Sequence, residues 1–143
     1  MVALLHGQPP ISRTKPLVWV ELGCGHGATA LGVAASDPAV QVWACDFNPA
    51  HIEHARELAD RAKLTNCVFE EASFQELASD DSVGPAQIDI IVLHGVYSWV
   101  SAQNQASIIE FVRRRLRVGG LVYVSYNVTT GWASMLALPS RCA

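Results

Sequence analysis

A short apolar run, Leu17-Val18-Trp19-Val20-Glu21-Leu22, passes directly into Gly23-Cys24-Gly25-His26-Gly27, and this junction restricts the fold more than any other feature. A nearly continuous apolar run ended by glycines is the pattern of a strand buried on both faces. Alternate glycines let the backbone turn sharply and approach a ligand without Cβ collisions. Further apolar runs at 40–45, 67–70, 88–93 and 121–126 read as four more strands.

Helical patterns fill the gaps. One helix is expected over 27–35, stopped by Ser36-Asp37-Pro38. A second starts at Asn48-Pro49, an N-cap followed by proline at the first helical position. Its apolar residues Ile52, Ala55, Leu58, Ala59 and Ala62 recur at helical spacing, opposite Glu53, Arg56, Glu57, Asp60 and Arg61. A short helix is expected in the polar stretch 72–85. A fourth is expected over 104–117, with Ile108, Ile109, Val112 and Leu116 as its core stripe. Arg113, Arg114, Arg115 and Arg117 complement its C-terminal dipole, and Gly119-Gly120 is the expected stop. Strands alternating with helices imply right-handed crossovers and an α/β fold, a parallel sheet with helices on both faces. Residues 1–16, with Pro9, Pro10 and Pro16, read as a lead-in segment, and 17–143 as one domain.

Composition narrows the function classes. With 143 residues, half of them hydrophobic, the chain can bury one core without a disulfide or metal staple. The formal net charge of −3 gives no broad footprint for nucleic acid or an anionic membrane. No apolar run approaches the roughly 20 residues of a spanning helix, and Met1 to Gly7 lacks the cationic region of a signal peptide. Cys24, Cys45, Cys67 and Cys142 show no CxxC spacing, so reduced thiols and a cytoplasmic location are expected.

In an open parallel sheet the ligand sits beyond the carboxyl ends of the strands, where strand order reverses. Gly23, Gly25 and Ala28 satisfy G-x-G-x-x-A, a dinucleotide fingerprint, so a nicotinamide-dependent (NAD) oxidoreductase is one reading. Two features favour a sulfonium nucleoside instead. Glu21 puts a carboxylate where an ammonium or sulfonium is welcome and a pyrophosphate is not, and Gly27 falls one place early for the dinucleotide pattern. Asp46 ends the second strand about 20 residues beyond the loop, where a carboxylate can accept both hydroxyls of a ribose. Phe47 beside it can cover an adenine face. Ala72, Ser73 and Phe74 follow the third strand, where the adenine should end, although a helix N-terminus built on Ser73 and Glu76 accounts for them almost as well.

The ELGCGHG loop, the strand-end Asp46, the EEASF segment and the VGG turn together resemble class I S-adenosylmethionine-dependent methyltransferases. LHGVYSWV and YVSYNVTTGW resemble the bacterial subgroup in which this domain precedes a methyltransferase regulatory domain, similar to rickettsial protein-lysine methyltransferases. The resemblance covers roughly residues 4–138. It implies a Rossmann-like doubly wound sheet of strand order 3-2-1-4-5 in three α/β/α layers, lacking the last two strands of the full fold. It implies S-adenosyl-L-methionine as cofactor. Glu21 and the loop Gly23, Cys24, Gly25 and Gly27 would hold the methionine part. Asp46 would hold the ribose, Phe47 the adenine face, and Ala72, Ser73 and Phe74 the adenine edge, with His94 beside the sulfonium methyl.

The acceptor is not identified by the residues, protein lysine being the subgroup's suggestion. His94, Tyr97, Tyr126 and Asn127 lie at the ends of the fourth and fifth strands as candidates for acceptor binding or proton removal. Core packing or capping accounts for each equally, so no catalytic residue is assigned. His51 and His54 sit three apart beside Glu53 and Arg56, the pattern of a solvated face rather than a metal site. The missing strands leave a second class open, a non-catalytic cofactor-binding or interaction module. They also make self-association through the fifth-strand edge an expectation.

Overall fold

The computed structural model describes residues 15–126. Five strands and four helices alternate: β1 (Leu17–Leu22), α1 (Ala28–Ser36), β2 (Val40–Asp46), α2 (Pro49–Arg61), β3 (Cys67–Glu71), α3 (Phe74–Ser79), β4 (Ile88–His94), α4 (Ala102–Arg115) and β5 (Leu116–Ser125). The strands form one sheet of order β3-β2-β1-β4-β5. Every pairing is parallel. This is the expected doubly wound order, and its reversal lies between β1 and β4. The carboxyl ends of β1, β2 and β4 therefore open around one crevice.

Strand alternation sends side chains to two cores. Trp19 of β1, Val42 and Ala44 of β2 and Phe69 of β3 pack with Ala30 and Ala34 of α1 and Ile52, Ala55 and Ala59 of α2. Val20 and Leu22 of β1, Trp43 and Cys45 of β2 and Ile91 and Leu93 of β4 face the other way, onto Leu77 of α3 and Ile108 and Phe111 of α4. Full burial of such a side chain contributes roughly 1.5–3 kcal/mol. Period-two alternation also puts Glu21 on the Trp19 side of β1 and Asp46 on the Ala44 side of β2, facing α1 and α2.

Of three side-chain caps, those on α2 and α3 were expected from the sequence, and the Ser101 cap on α4 was not. Asn48 accepts the Ala50 amide with Pro49 at the start of α2, Ser73 and Glu76 close a capping box on α3, and Ser101 accepts the Asn104 amide on α4.

The fourth helix departs from expectation. It spans Ala102–Arg115 rather than 104–117, and Gly119-Gly120 do not stop it. They lie inside β5, where pairing with β4 jumps from Ile88–Leu116 to Ile90–Leu121, so the glycines absorb an irregularity in the strand. A Cβ at Gly120 would lie 2.9 Å from the Arg117 carbonyl and 3.0 Å from that of Asp89. The core stripe also shifts. Ile109 is half exposed while Phe111 is fully buried, because 108, 111, 112 and 115 share the helix face toward the sheet.

The arginines at and just beyond its C-terminal end act as more than dipole complements. Arg115, 3% exposed, donates to the carbonyls of Pro85 and Asp80 and pairs with Asp81. Arg114 reaches the Ala78 carbonyl and Asp81. Arg117 contacts both carboxylate oxygens of Asp89, at 2.8 and 3.0 Å. Among the described residues no helix is long and apolar enough to cross a membrane, and Cys24, Cys45 and Cys67 are free thiols. Cys142, Asn127 and all but the last two residues of the lead-in segment lie outside the described residues.

Candidate functional site

The loop after β1 is shaped by backbone geometry that side chains resist. Gly23, Gly25 and Gly27 have φ of 71°, 54° and 76°, a region costing a residue with a Cβ roughly 1–2 kcal/mol. Space adds a second demand at two of them. A Cβ at Gly23 would lie 2.8 Å from Val96 in the loop after β4, and one at Gly27 would lie 2.7 Å from Phe69 and 2.9 Å from Ala55. At Gly25 the space is open. The loop is anchored to β2, with the Gly23 and Cys24 amides donating to the Cys45 carbonyl at 2.8 and 2.9 Å.

Beneath the loop lies Glu21, 3% exposed. Its Oε2 is buried and has no hydrogen-bond partner among the described residues. Burial pushes its carboxyl up to about 7, against smaller lowering by the Ala30 amide and the Thr29 hydroxyl. Such an oxygen can accept from a cation or donor placed beside it. Burial also raises the Cys24 thiol to about 12, aided by the carboxylates of Glu21 and Asp46. The loop cysteine is therefore a neutral packing group rather than a nucleophile.

Asp46 ends β2 and is 7% exposed. Its Oδ2 accepts the Gly25 amide at 2.9 Å and its Oδ1 the Asn48 amide at 3.0 Å. Its backbone carbonyl accepts the Ala72 amide at 3.1 Å. Beside it opens a cavity of about 280 Å³, lined by Gly23, Asp46, Phe47, Ala72, Ser73, Phe74, Gln75, Val100 and Asn104. Six of the residues expected from sequence thus share one wall. Phe47 is 74% exposed beside Asp46, free to lie over a bound ring.

Ser73 has a double placement. It borders the cavity, yet its amide and hydroxyl both engage Glu76 at 2.7 Å, so the helix-start reading describes its side chain. Gln75, Val100 and Asn104 were not expected from sequence. The Gln75 side-chain amide donates to that of Asn104, closing the cavity between α3 and α4. Only the packing of α3 on α4 brings them together; the Ser101 cap that places Asn104 in the first turn is the one local signal.

His94 stands apart. It is exposed at the end of β4, 3.4 Å from the Ser125 hydroxyl and stacked on Tyr123 at 6.4 Å, and it does not line the cavity. Tyr97 packs against the α3–α4 core and its carbonyl accepts the Gln105 side chain. Tyr126 is exposed after β5. His51 and His54 do not share a fully solvated face as expected. His54 is exposed, but His51 is half-buried with Nδ1 3.2 Å from Asp46. Among the described residues no three His, Cys, Asp or Glu side chains are grouped to hold a metal.

Comparison with known proteins agrees with this architecture. The methyltransferase domain family matches residues 20–122. The uncharacterized protein sll1526 of Synechocystis sp. is 44% identical over 84% of this chain and 23% of its own length. RP028 of Rickettsia prowazekii is 36% identical over 87% of this chain and 47% of its own length. The structure of PKMT2 from Rickettsia typhi in complex with AdoHcy superposes with a TM-score of 0.81 at 33% identity, covering 92% of this chain and 24% of that one. The chain thus spans less than half the length of these relatives. The family match runs from within β1, through the glycine loop, to the middle of β5, and the chain belongs to the class I S-adenosylmethionine-dependent methyltransferases.

Proposed function

We propose that this chain binds S-adenosyl-L-methionine in the crevice between the glycine loop and the Asp46–Phe74 cavity, and presents its methyl group to an acceptor, with protein lysine as the acceptor class. The carrying observation is the buried, unpartnered Oε2 of Glu21 under the loop. A cofactor with an ammonium group at one end and a ribose and adenine at the other matches the sequence of groups along the crevice. Glu21 answers the ammonium, Asp46 the ribose, and Phe47, Ala72 and Phe74 the adenine. A pyrophosphate placed at the loop would meet two carboxylates, which argues against a dinucleotide.

When bound, the cofactor supplies a methyl already activated on a sulfonium sulfur, so the protein's contribution is alignment rather than bond activation. The loop amides and Glu21 orient one end, and the apolar cavity walls exclude water from the other. Lysine as acceptor is supported by the PKMT2 likeness and by the LHGVYSWV and YVSYNVTTGW segments. On this reading His94, beside Ser125 and Tyr123 at the end of β4, is the candidate to accept a lysine proton.

A thermal-shift comparison tests the cofactor. S-adenosylhomocysteine at a hundredfold excess over its dissociation constant should stabilise the chain by about 2.7 kcal/mol, and NAD should leave the melting temperature unchanged. Stabilisation by NAD alone would overturn the reading. Incubation with labelled S-adenosylmethionine and a lysine-rich protein should place label in methyl-lysine; binding without any transfer would favour the cofactor-binding module instead.

A further inference from the structure

Asp46 carries one more donor than its strand-end position requires. The Gly25 amide occupies Oδ2, while the Asn48 amide and the His51 imidazole both meet Oδ1, at 3.0 and 3.2 Å. Since a carboxylate only accepts, this contact is a hydrogen bond in the His51 tautomer that carries its proton on Nδ1. A carboxylate offers about four lone-pair positions, and donors among the described residues fill three of them. The remaining one lies on Oδ2, the oxygen turned to the glycine loop. The Asn48 amide alone would make the local turn, so turn formation does not explain the His51 contact.

The His51 ring is itself held in place. It packs against His26 of the glycine loop with ring centroids 4.4 Å apart. His26 in turn meets His54 edge-on at 5.1 Å. His51 and His54 lie three residues apart on α2 and so project from neighbouring positions on one face. Three imidazoles thus bridge the loop after β1 to the helix after β2, with His26 between the other two, and His51 touches the acid that ends β2.

We propose that His51 is a positioning residue that fixes the Asp46 carboxylate for a ribose hydroxyl. It acts through Asp46 and does not itself touch the ligand. The inference rests on the reading of Asp46 as the ribose acceptor. Its physical basis is torsional: the terminal torsion of an aspartate is broad and weakly restrained. With Oδ1 held from two directions, the free position of Oδ2 points one way before the ligand arrives, and binding does not have to order it.

Calorimetric titration of the whole chain with S-adenosylhomocysteine tests this, using wild type, His51→Ala, His51→Asn, Asp46→Asn and the Asp46→Asn/His51→Ala double variant. His51→Ala should weaken binding about fivefold, the worth of one ordinary hydrogen bond. His51→Asn, whose amide nitrogen can take the place of Nδ1, should recover most of the loss. In the Asp46→Asn background His51→Ala should add little, because the effect travels through the carboxylate. A merely structural histidine would cost the same in both backgrounds and would not be rescued by asparagine. Equal losses in the two backgrounds, or unchanged or tighter binding by His51→Ala, overturn the proposal while the cofactor reading stands. Wild type that fails to bind overturns the ribose reading and this inference together. If His51→Ala melts early, the His51→Asn rescue and the double-variant comparison still decide.

Discussion

The Gly25 amide donates to Oδ2 of Asp46 across 2.9 Å, so the loop leaving β1 is closed by the acid that ends β2. The contact couples two positions 21 residues apart in the chain, and it makes the shape of the glycine loop depend on a carboxylate in another strand. The adjacent pairing of β1 with β2 brings the two ends into reach.

Asp46→Ala should therefore weaken S-adenosylhomocysteine binding roughly tenfold or more, since each hydrogen bond to a charged group contributes about 1.5–3 kcal/mol. The Gly25 and Asn48 amides lose their acceptor as well. Calorimetry on the folded variant reads the effect, and unchanged affinity would remove Asp46 from the site.

The loop glycines should separate in stability. Gly27→Ala meets both a positive φ and a Cβ within 2.7 Å of the Phe69 ring, whereas Gly25→Ala meets the positive φ alone. Urea denaturation should show a loss of about 1 kcal/mol for Gly25→Ala and about 2–4 kcal/mol for Gly27→Ala. Equal losses would mean that the packing of the loop on α2 and β3 is not as described.

Glu21 makes stability fall with rising pH. Its carboxyl titrates near 7 in the folded chain, above its ordinary value of 4.5. The native state therefore holds more protons than the unfolded state between those values. The contribution is fully present below about pH 4.5 and is lost as pH rises through 7, on the order of 3 kcal/mol. Denaturation of wild type and Glu21→Gln at pH 5 and pH 8 should show that the glutamine variant removes this part of the decline. An entering ammonium favours the ionised form, so S-adenosylhomocysteine should bind more tightly from pH 6 to pH 8 and release a proton below pH 7. Titrations in buffers of different ionisation enthalpy would detect that proton.

Arg115 ties α4 to the segment before β4 from a buried position. Arg115→Ala leaves the Pro85 and Asp80 carbonyls without their donor and should cost about 3 kcal/mol. Arg115→Lys should recover little, since an ammonium cannot reproduce the guanidinium fork. Full recovery by lysine in chemical denaturation would count against this account.

Much of the architecture was legible in the sequence because its signals are local. The apolar runs of β1, β2 and β4 announce strands buried on both faces, and Asn48-Pro49 and Ser73 with Glu76 announce helix starts through side chains that satisfy free amides a few residues away. The loop glycines were legible for the same reason, since positive φ is a property of the residue itself. The end of α4 was misread because a glycine pair signals a break without saying which element it breaks. Pairing of Leu116 with Ile88 and of Arg117 with Asp89 decided that the break falls within β5.

The residue pattern alone determined the order of elements, the glycine loop, and the acids at the ends of β1 and β2. Tertiary structure alone decided that Glu21 lacks a partner for one oxygen, that Gln75 and Asn104 close the cavity, and that His51 reaches Asp46. Each of these depends on distances between elements and on the water excluded between them. Burial turns an ordinary glutamate into a group titrating near neutrality, and helix packing turns two separate amides into one wall. Neither effect has a counterpart in the spacing of residues along the chain.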